Sequence, residues 1–168
     1  LPELLSAGQA VYDDWLNLCV WAKSNAGMGS LYRSQHELVA VYKKGKRPHV
    51  SNVELGANGR HRSNLWTYAG ANTFKAGRQE ELGWHPTVKP LDLICDILRD
   101  ASDPGEIVLD GFGGSGTTLI AAAHSGRTAR LIELDPLYCD VILRRYQATF
   151  GEAPVHVPTG QSFTQRAQ

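Results

Sequence analysis

Two acids in this chain have the setting of ligand-binding groups. Asp110 ends the apolar run Ile107-Val108-Leu109-Asp110, which leads into Gly111-Phe112-Gly113-Gly114-Ser115-Gly116-Thr117-Thr118. Glu133 ends a second run, Ala129-Arg130-Leu131-Ile132-Glu133. Gly111, Gly113 and Gly116 keep the G-x-G-x-x-G spacing of dinucleotide-binding turns, and Glu133 lies where a ribose-binding acid is expected. Asp110 argues against a dinucleotide. The pyrophosphate of such a ligand sits over the turn at the helix N-terminus, and this carboxylate would face it. Like charges about 4 Å apart at an effective dielectric near 20 repel by roughly 4 kcal/mol. A Walker-type phosphate loop fails because Thr117 stands where the phosphate-binding lysine is required. A nucleoside that carries positive charge instead of phosphate is attracted by both acids. S-adenosylmethionine presents an ammonium and a sulfonium, so the pattern predicts this methyl donor, with Glu133 accepting hydrogen bonds from the two ribose hydroxyls. The glycines allow close backbone approach and positive φ.

These residues need a strand–turn–helix–strand frame, and the surrounding sequence supplies one. It predicts a strand at Glu106–Asp110, a helix from about Gly116 to His124 and a strand at Ala129–Glu133. A last helix follows, with Asp135 as N-cap, Pro136 at the first helical position, and Tyr138, Val141, Ile142 and Tyr146 facing the core. Gly151 closes it. Upstream, Pro90 starts a helix whose Leu91, Ile94, Cys95 and Leu98 recur at i, i+3, i+4 and i+7. Pro2 to about Leu16 reads as a helix, and Leu18–Lys23 is a continuous apolar run that suits a buried parallel strand. Ser24–Ser34 reads as a loop and His36–Tyr42 as the next strand. From Lys46 to His85 periodicity is lost, and a segment this long without elements is usually functional or disordered. Alternating strands and helices argue for a parallel α/β sheet. The residues after Gly151 read as a loose tail.

A length of 168 residues suits one domain, and 42% hydrophobic residues suffice for a core. Seventeen basic and seventeen acidic residues cancel, so bulk charge names no partner. The sequence has no long apolar span and no secretory signal, which predicts a soluble, cytoplasmic protein without a membrane partner. Cys19, Cys95 and Cys139 lack C-x-x-C spacing and read as buried free thiols, and the six histidines show no metal-ligand spacing, so no metal is expected. The chain starts at Leu1, without an initiator methionine, and reads as a fragment or a processed product.

Charge is uneven along the chain. Lys43, Lys44, Lys46, Arg47, Arg60, Arg62, Lys75 and Arg78 lie in a stretch where Glu54 is the only acid. Such a segment is either a solvated loop or a phosphate-contacting surface. Asn52, Asn58, Asn64 and Asn72 add amides able to read base edges, and Trp66 and Tyr68 could pack the segment or stack on bases.

The run Val108–Thr118 resembles the donor-binding motif of DNA amino-methyltransferases, the adenine- or cytosine-modifying enzymes of restriction–modification systems, phages and mobile elements. His85-Pro86-Thr87-Val88-Lys89-Pro90 is similar to the motif that precedes it in the permuted order called the beta class. Gly27-Met28-Gly29-Ser30-Leu31-Tyr32-Arg33-Ser34-Gln35-His36-Glu37 resembles a loop-and-strand element of the same family. The matches touch most of Leu18 to Tyr146. The resemblance implies a Rossmann-like methyltransferase sheet with helices on both faces, incomplete in this chain. It implies a partial methyltransferase domain over residues 1–150, with a DNA-recognition insertion at about 45–84. Asp110, Phe112, Gly113, Ser115 and Gly116 would line the donor pocket together with Glu133, and Thr87 and Lys89 would hold the donor's methionine end. Arg33, Lys43, Lys44, Arg47, Arg60, Arg62, Lys75 and Arg78 would face duplex DNA. Another copy of the chain is a candidate partner.

Two departures matter. Family members commonly carry proline where this chain has Gly111. The catalytic Asp-Pro-Pro-Tyr is also missing; in this motif order it is expected upstream of Leu1, so the isolated chain is expected to be inactive. Asp135-Pro136-Leu137-Tyr138 resembles a degraded copy, but it follows the ribose strand and opens a helix, so capping accounts for its Asp and Pro. Methyl transfer to RNA or protein, nicotinamide-dependent oxidoreduction, and a DNA-binding remnant without catalysis remain open alternatives at this point.

Overall fold

The computed structural model describes residues 1–29, 31–53, 59–70 and 88–166. The chain divides into two compact units, residues 1–73 with 100–102 and residues 74–99 with 103–168.

The first unit contains helix α1 (Pro2–Val11) and strands β1 (Asp14–Lys23), β2 (His36–Lys43) and β3 (Leu65–Tyr68), in sheet order β2-β1-β3. The expected helix to Leu16 is five residues too long. Tyr12 turns extended at φ −102° and ψ 157°, and Asp14 to Ala22 pair antiparallel with β2, from Asp14–Lys43 to Ala22–His36. Asp13 anchors that change. Its N–H donates to the Lys43 carbonyl at 3.0 Å, and its carboxylate accepts the Gly45 N–H at 2.6 Å. The Gly45 bond and the Lys44 ammonium hold the Asp13 carboxyl below its ordinary pKa. The hairpin ladder thus wins residues that local helical periodicity had claimed.

The apolar run in β1 was expected in a parallel setting. It is parallel only to β3, with Val20 opposite Leu65 and Trp21 opposite Trp66, and it is antiparallel to β2. Strand β3 itself lies in the stretch read as aperiodic. Its four residues alternate with Trp66 buried and Leu65 exposed, too short a pattern to stand out. Val20 N–H donates to the Asn64 carbonyl and the Trp21 indole N–H to the Tyr68 carbonyl, at 2.7 and 3.1 Å. Cys19, Trp21 and Trp66 form the buried centre.

The second unit begins with α2 (Leu91–Ala101), whose last residues, from Asp100, group with the first unit. Then come β4 (Ile107–Asp110), α3 (Thr117–His124), β5 (Thr128–Leu131) and α4 (Pro136–Phe150). Strands β4 and β5 run parallel in register Ile107–Thr128 to Asp110–Leu131. Helix α3 buries Ile120, Ala121 and Ala122. Its small residues let the helix lie close to its neighbours, and β5 is among them. Asp135 caps α4 by accepting the Leu137 N–H at 2.9 Å, and Gly151 ends it at φ 74°. The tail is more ordered than its composition suggests: β6 (Val155–His156) pairs with β7 (Gln161–Ser162), and α5 (Phe163–Arg166) follows. The Arg144 guanidinium stands 5.7 Å from the centre of the Phe163 ring, which ties the tail to α4.

The architecture is mixed α/β with a partial sheet, as the sequence implied. Burial pushes the Cys19 and Cys95 thiols above their ordinary pKa. No helix among the described residues is long and apolar enough to cross a membrane.

Candidate functional site

The glycine turn between β4 and α3 is braced from both sides by the two acids. Asp110 Oδ1 accepts the Phe112 N–H at 2.9 Å, and Oδ2 accepts the Thr118 hydroxyl at 2.6 Å. One carboxylate therefore closes the first step of the turn and reaches the first turn of α3, where negative charge is favoured. Glu133 lies two residues past β5. Its Oε2 accepts the Gly114 N–H at 2.6 Å and its Oε1 the Asp135 N–H at 3.0 Å. It therefore links the glycine turn to the cap of α4.

The glycines divide into two kinds. Gly116 sits at φ 77°, and a Cβ there would meet Ile142 Cγ2 at 3.0 Å; a Cβ at Gly113 would meet Ile142 Cδ1 at 3.2 Å and Leu131 Cδ2 at 3.3 Å. Both sites press the turn against β5 and α4. A Cβ at Gly111 would meet nothing within 4 Å, so this position does not depend on glycine for space. On the open side, Phe112 is 92% exposed and Leu134 97% exposed. The rim thus combines apolar surface with two acids, a suitable setting for a nucleoside bearing a cationic sulfur.

Ser115 points the other way. It is 5% exposed, and its hydroxyl and carbonyl oxygens accept from Arg145 Nη1 at 3.2 and 3.1 Å. The same nitrogen donates to Thr117 Oγ1 at 2.9 Å. Arg145 was not singled out in the sequence. The available signal was its position three residues after Ile142, on the buried face of α4, where a charge is unusual. Thr118, the hydroxyl partner of Asp110, was also missed. Lys89 is half-buried just before α2, and Thr87 lies outside the described residues.

The basic residues are not equivalent. Arg60 Nη2 contacts Asp100 Oδ1 at 2.6 Å, and Arg62 Nε contacts Asp100 Oδ2 at 2.8 Å. Arg62 Nη1 also donates to the Tyr68 hydroxyl at 2.7 Å, and its guanidinium stands 5.6 Å from the Trp66 ring centre. Burial lowers the Arg62 pKa, but the Tyr68 and Asp100 bonds raise it further, so the net shift is upward. Arg33 braces its own loop through the Gly27 and Ala26 carbonyls. Lys43 pairs with Asp14, and Lys44 pairs with Asp13 while its side chain stays 65% exposed. Arg47 is exposed. Lys75 and Arg78, with much of the stretch 45–84 where an insertion was expected, lie outside the described residues.

The sequence profile of a DNA methylase family, the N6/N4 methyltransferases, matches residues 14–144. The chain belongs to this family. Among relatives of this chain, the type II methyltransferase M2.MboI of Moraxella bovis is 30% identical over 138 residues, covering 78% of this chain and 49% of the relative. M2.DpnII of Streptococcus pneumoniae is 29% identical over 159 residues, covering 88% of this chain and 58% of the relative. Among solved structures, the complex of M1.HpyAVI with SAM superposes with a TM-score of 0.59 at 28% identity, over 79% of this chain and 62% of that one. The chain therefore spans about half the length of the relatives it matches. Both acids, the glycine turn and Arg33 to Arg62 fall within the matched stretch, and Arg145 is the first residue beyond it.

Proposed function

We propose that this chain carries the methyl-donor site and part of the DNA-facing surface of an S-adenosylmethionine-dependent methyltransferase acting on the exocyclic amino group of adenine or cytosine in duplex DNA. The observation that carries this reading is the pair of carboxylates on the glycine turn, within a stretch that matches the DNA methylase family. The bound cofactor supplies a sulfonium-activated methyl group. Asp110 and Glu133 would attract the cationic donor and repel a pyrophosphate. Glu133 would accept the ribose hydroxyls, Phe112 would offer apolar surface, Gly113 and Gly116 let the backbone fold tightly, and Lys89 with Thr87 would hold the carboxylate of the methionine end. Ser115 supports the turn from beneath.

The target base must leave the duplex to reach such a site, and basic side chains supply phosphate contacts that hold the register. Arg33, Lys44 and Arg47 are the exposed members of the proposed set among the described residues. Arg33, Lys43, Arg60 and Arg62 already serve internal partners, and their part in DNA binding is correspondingly smaller. The 168 residues contain no Asp-Pro-Pro-Tyr, so binding rather than transfer is the activity proposed for them alone. A place in a cytoplasmic restriction–modification system and self-association are parts of the same proposal.

The deciding experiment is calorimetric titration of the chain with S-adenosylhomocysteine, with NADH as a control. Saturable binding of the first and none of the second is expected. Binding of NADH alone would replace this reading with an oxidoreductase one, and an inert chain that still binds DNA would leave a remnant without a donor site.

A further inference from the structure

The most heavily buried charge described in this unit is Arg145, on α4, at 5% exposure. A guanidinium is costly to bury unless its donors are matched. Its Nη1 meets three oxygens, the Ser115 carbonyl, the Ser115 hydroxyl and the Thr117 hydroxyl, at 3.1, 3.2 and 2.9 Å. Those oxygens belong to the last part of the glycine turn and the first residue of α3. Between them lies Gly116, at φ 77°, which is pressed against Ile142 one turn earlier on the same helix. Ser115 and Thr117 are themselves buried, so water cannot replace the arginine as donor.

The two acids fix the turn from one side and Arg145 from the other. Asp110 sets Phe112 and Thr118, Glu133 sets Gly114, and Arg145 sets Ser115 and Thr117. Each turn residue from 112 to 118, apart from the two tightly packed glycines, thus has a side-chain partner from outside the turn or from its start. We propose that Arg145 is a positioning residue of the donor site, a buried strut whose hydrogen bonds hold the exit of the glycine turn in its ligand-ready form. The proposal rests on the donor reading above, and it assigns Arg145 no contact with the donor.

The test uses the full chain and three variants, Arg145→Met, Arg145→Lys and Thr117→Val. Two measurements are made on each: titration with S-adenosylhomocysteine, and amide hydrogen exchange at Gly116 and Ile120, whose N–H groups bond the Gly113 and Gly116 carbonyls. Arg145→Met should raise Kd about tenfold or more, the order expected when a hydrogen-bonded buried charge is deleted. It should speed exchange at those two amides while leaving the number of binding sites per chain unchanged. Arg145→Lys, which keeps one charged donor, should recover part of both effects, and Thr117→Val should give a smaller share of each.

A merely structural role gives a different result: the number of competent sites falls, exchange rises throughout the unit, and Kd stays at the parental value. That outcome overturns the proposal, as do parental Kd and parental exchange in both Arg145→Met and Thr117→Val. A parent chain that binds no S-adenosylhomocysteine overturns the donor reading itself and this proposal with it. The exchange data then report separately whether Arg145 braces the turn.

Discussion

Asp110 has two roles that a substitution series can separate. Its carboxylate closes the turn through Phe112 and Thr118, and in the proposed donor site its charge would favour a sulfonium over a phosphate. Asp110→Asn retains an acceptor for Phe112 and an amide for Thr118 but removes the charge. It should change unfolding stability by less than about 1 kcal/mol and weaken S-adenosylhomocysteine and S-adenosylmethionine unequally, the cationic donor more. Asp110→Ala should in addition cost about 1–3 kcal/mol, because it strands the Phe112 N–H and the Thr118 hydroxyl. Thermal melts beside the two titrations check both halves; equal losses for the two ligands in Asp110→Asn would remove the electrostatic role. The basic residues invite the same separation. Lys44→Ala and Arg47→Ala should each lower the slope of log K for DNA against log salt by about 1 with little effect on folding. Arg62→Ala should do the reverse. Arg62 bonds Asp100 and Tyr68, so its loss should destabilise the chain by about 1.5–3 kcal/mol and leave the salt slope nearly unchanged.

At the scale of elements, the features written in contiguous residues were legible and those written across the chain were not. The glycine turn, the Asp135 cap and the Gly151 stop depend on neighbours within a few positions, and each is found where the spacing put it. Strand β1 starts at Asp14 because β2, some thirty residues away, offers a ladder, and no local pattern announces that. Strand β3 is four residues in a polar stretch, and its existence depends on pairing with β1. The candidate site shows the same contrast. Its acids and glycines were readable, whereas the Arg145 strut joins residues 28 and 30 positions apart and the Asp100 node joins residues 38 and 40 apart. The glycines of the turn provide the element-scale prediction. Gly116→Ala places a Cβ 3.0 Å from Ile142 at a positive φ, and about 1–3 kcal/mol of destabilisation is expected. Gly111→Ala meets open space without a positive φ and should be neutral or stabilise by up to about 1 kcal/mol. Denaturant midpoints of the two variants test this directly; equal losses would mean that the turn is not held against α4.

At the scale of the molecule, the parallel pair β4–β5 is the platform of the candidate site, and it is a small one. It has two strands among the described residues, and sheets of that size need cover on their faces to be stable. Helix α3 lies against β5 and buries Ile120, Ala121 and Ala122, yet Ile107 and Leu109 of β4 remain 68% and 71% exposed. Side chains alternate along a strand, so these two share one face, where they form an exposed apolar pair beside Thr128 and Arg130 of β5. Contiguous exposed apolar surface marks an interaction or association site more often than a free surface. A chain that covers half of its relatives' length has about as much sequence again in those relatives that could supply cover. The isolated chain should therefore bind a hydrophobic-surface dye such as ANS and show concentration-dependent light scattering. The double substitution Ile107→Thr and Leu109→Thr should reduce both, with less than about 1 kcal/mol lost in stability, because little buried area is removed. It places a β-branched threonine at both positions of the strand, so the pairing with β5 should persist. Undiminished dye binding in that variant would assign the apolar surface to another part of the chain. A large loss of stability would mean that this face is covered in solution.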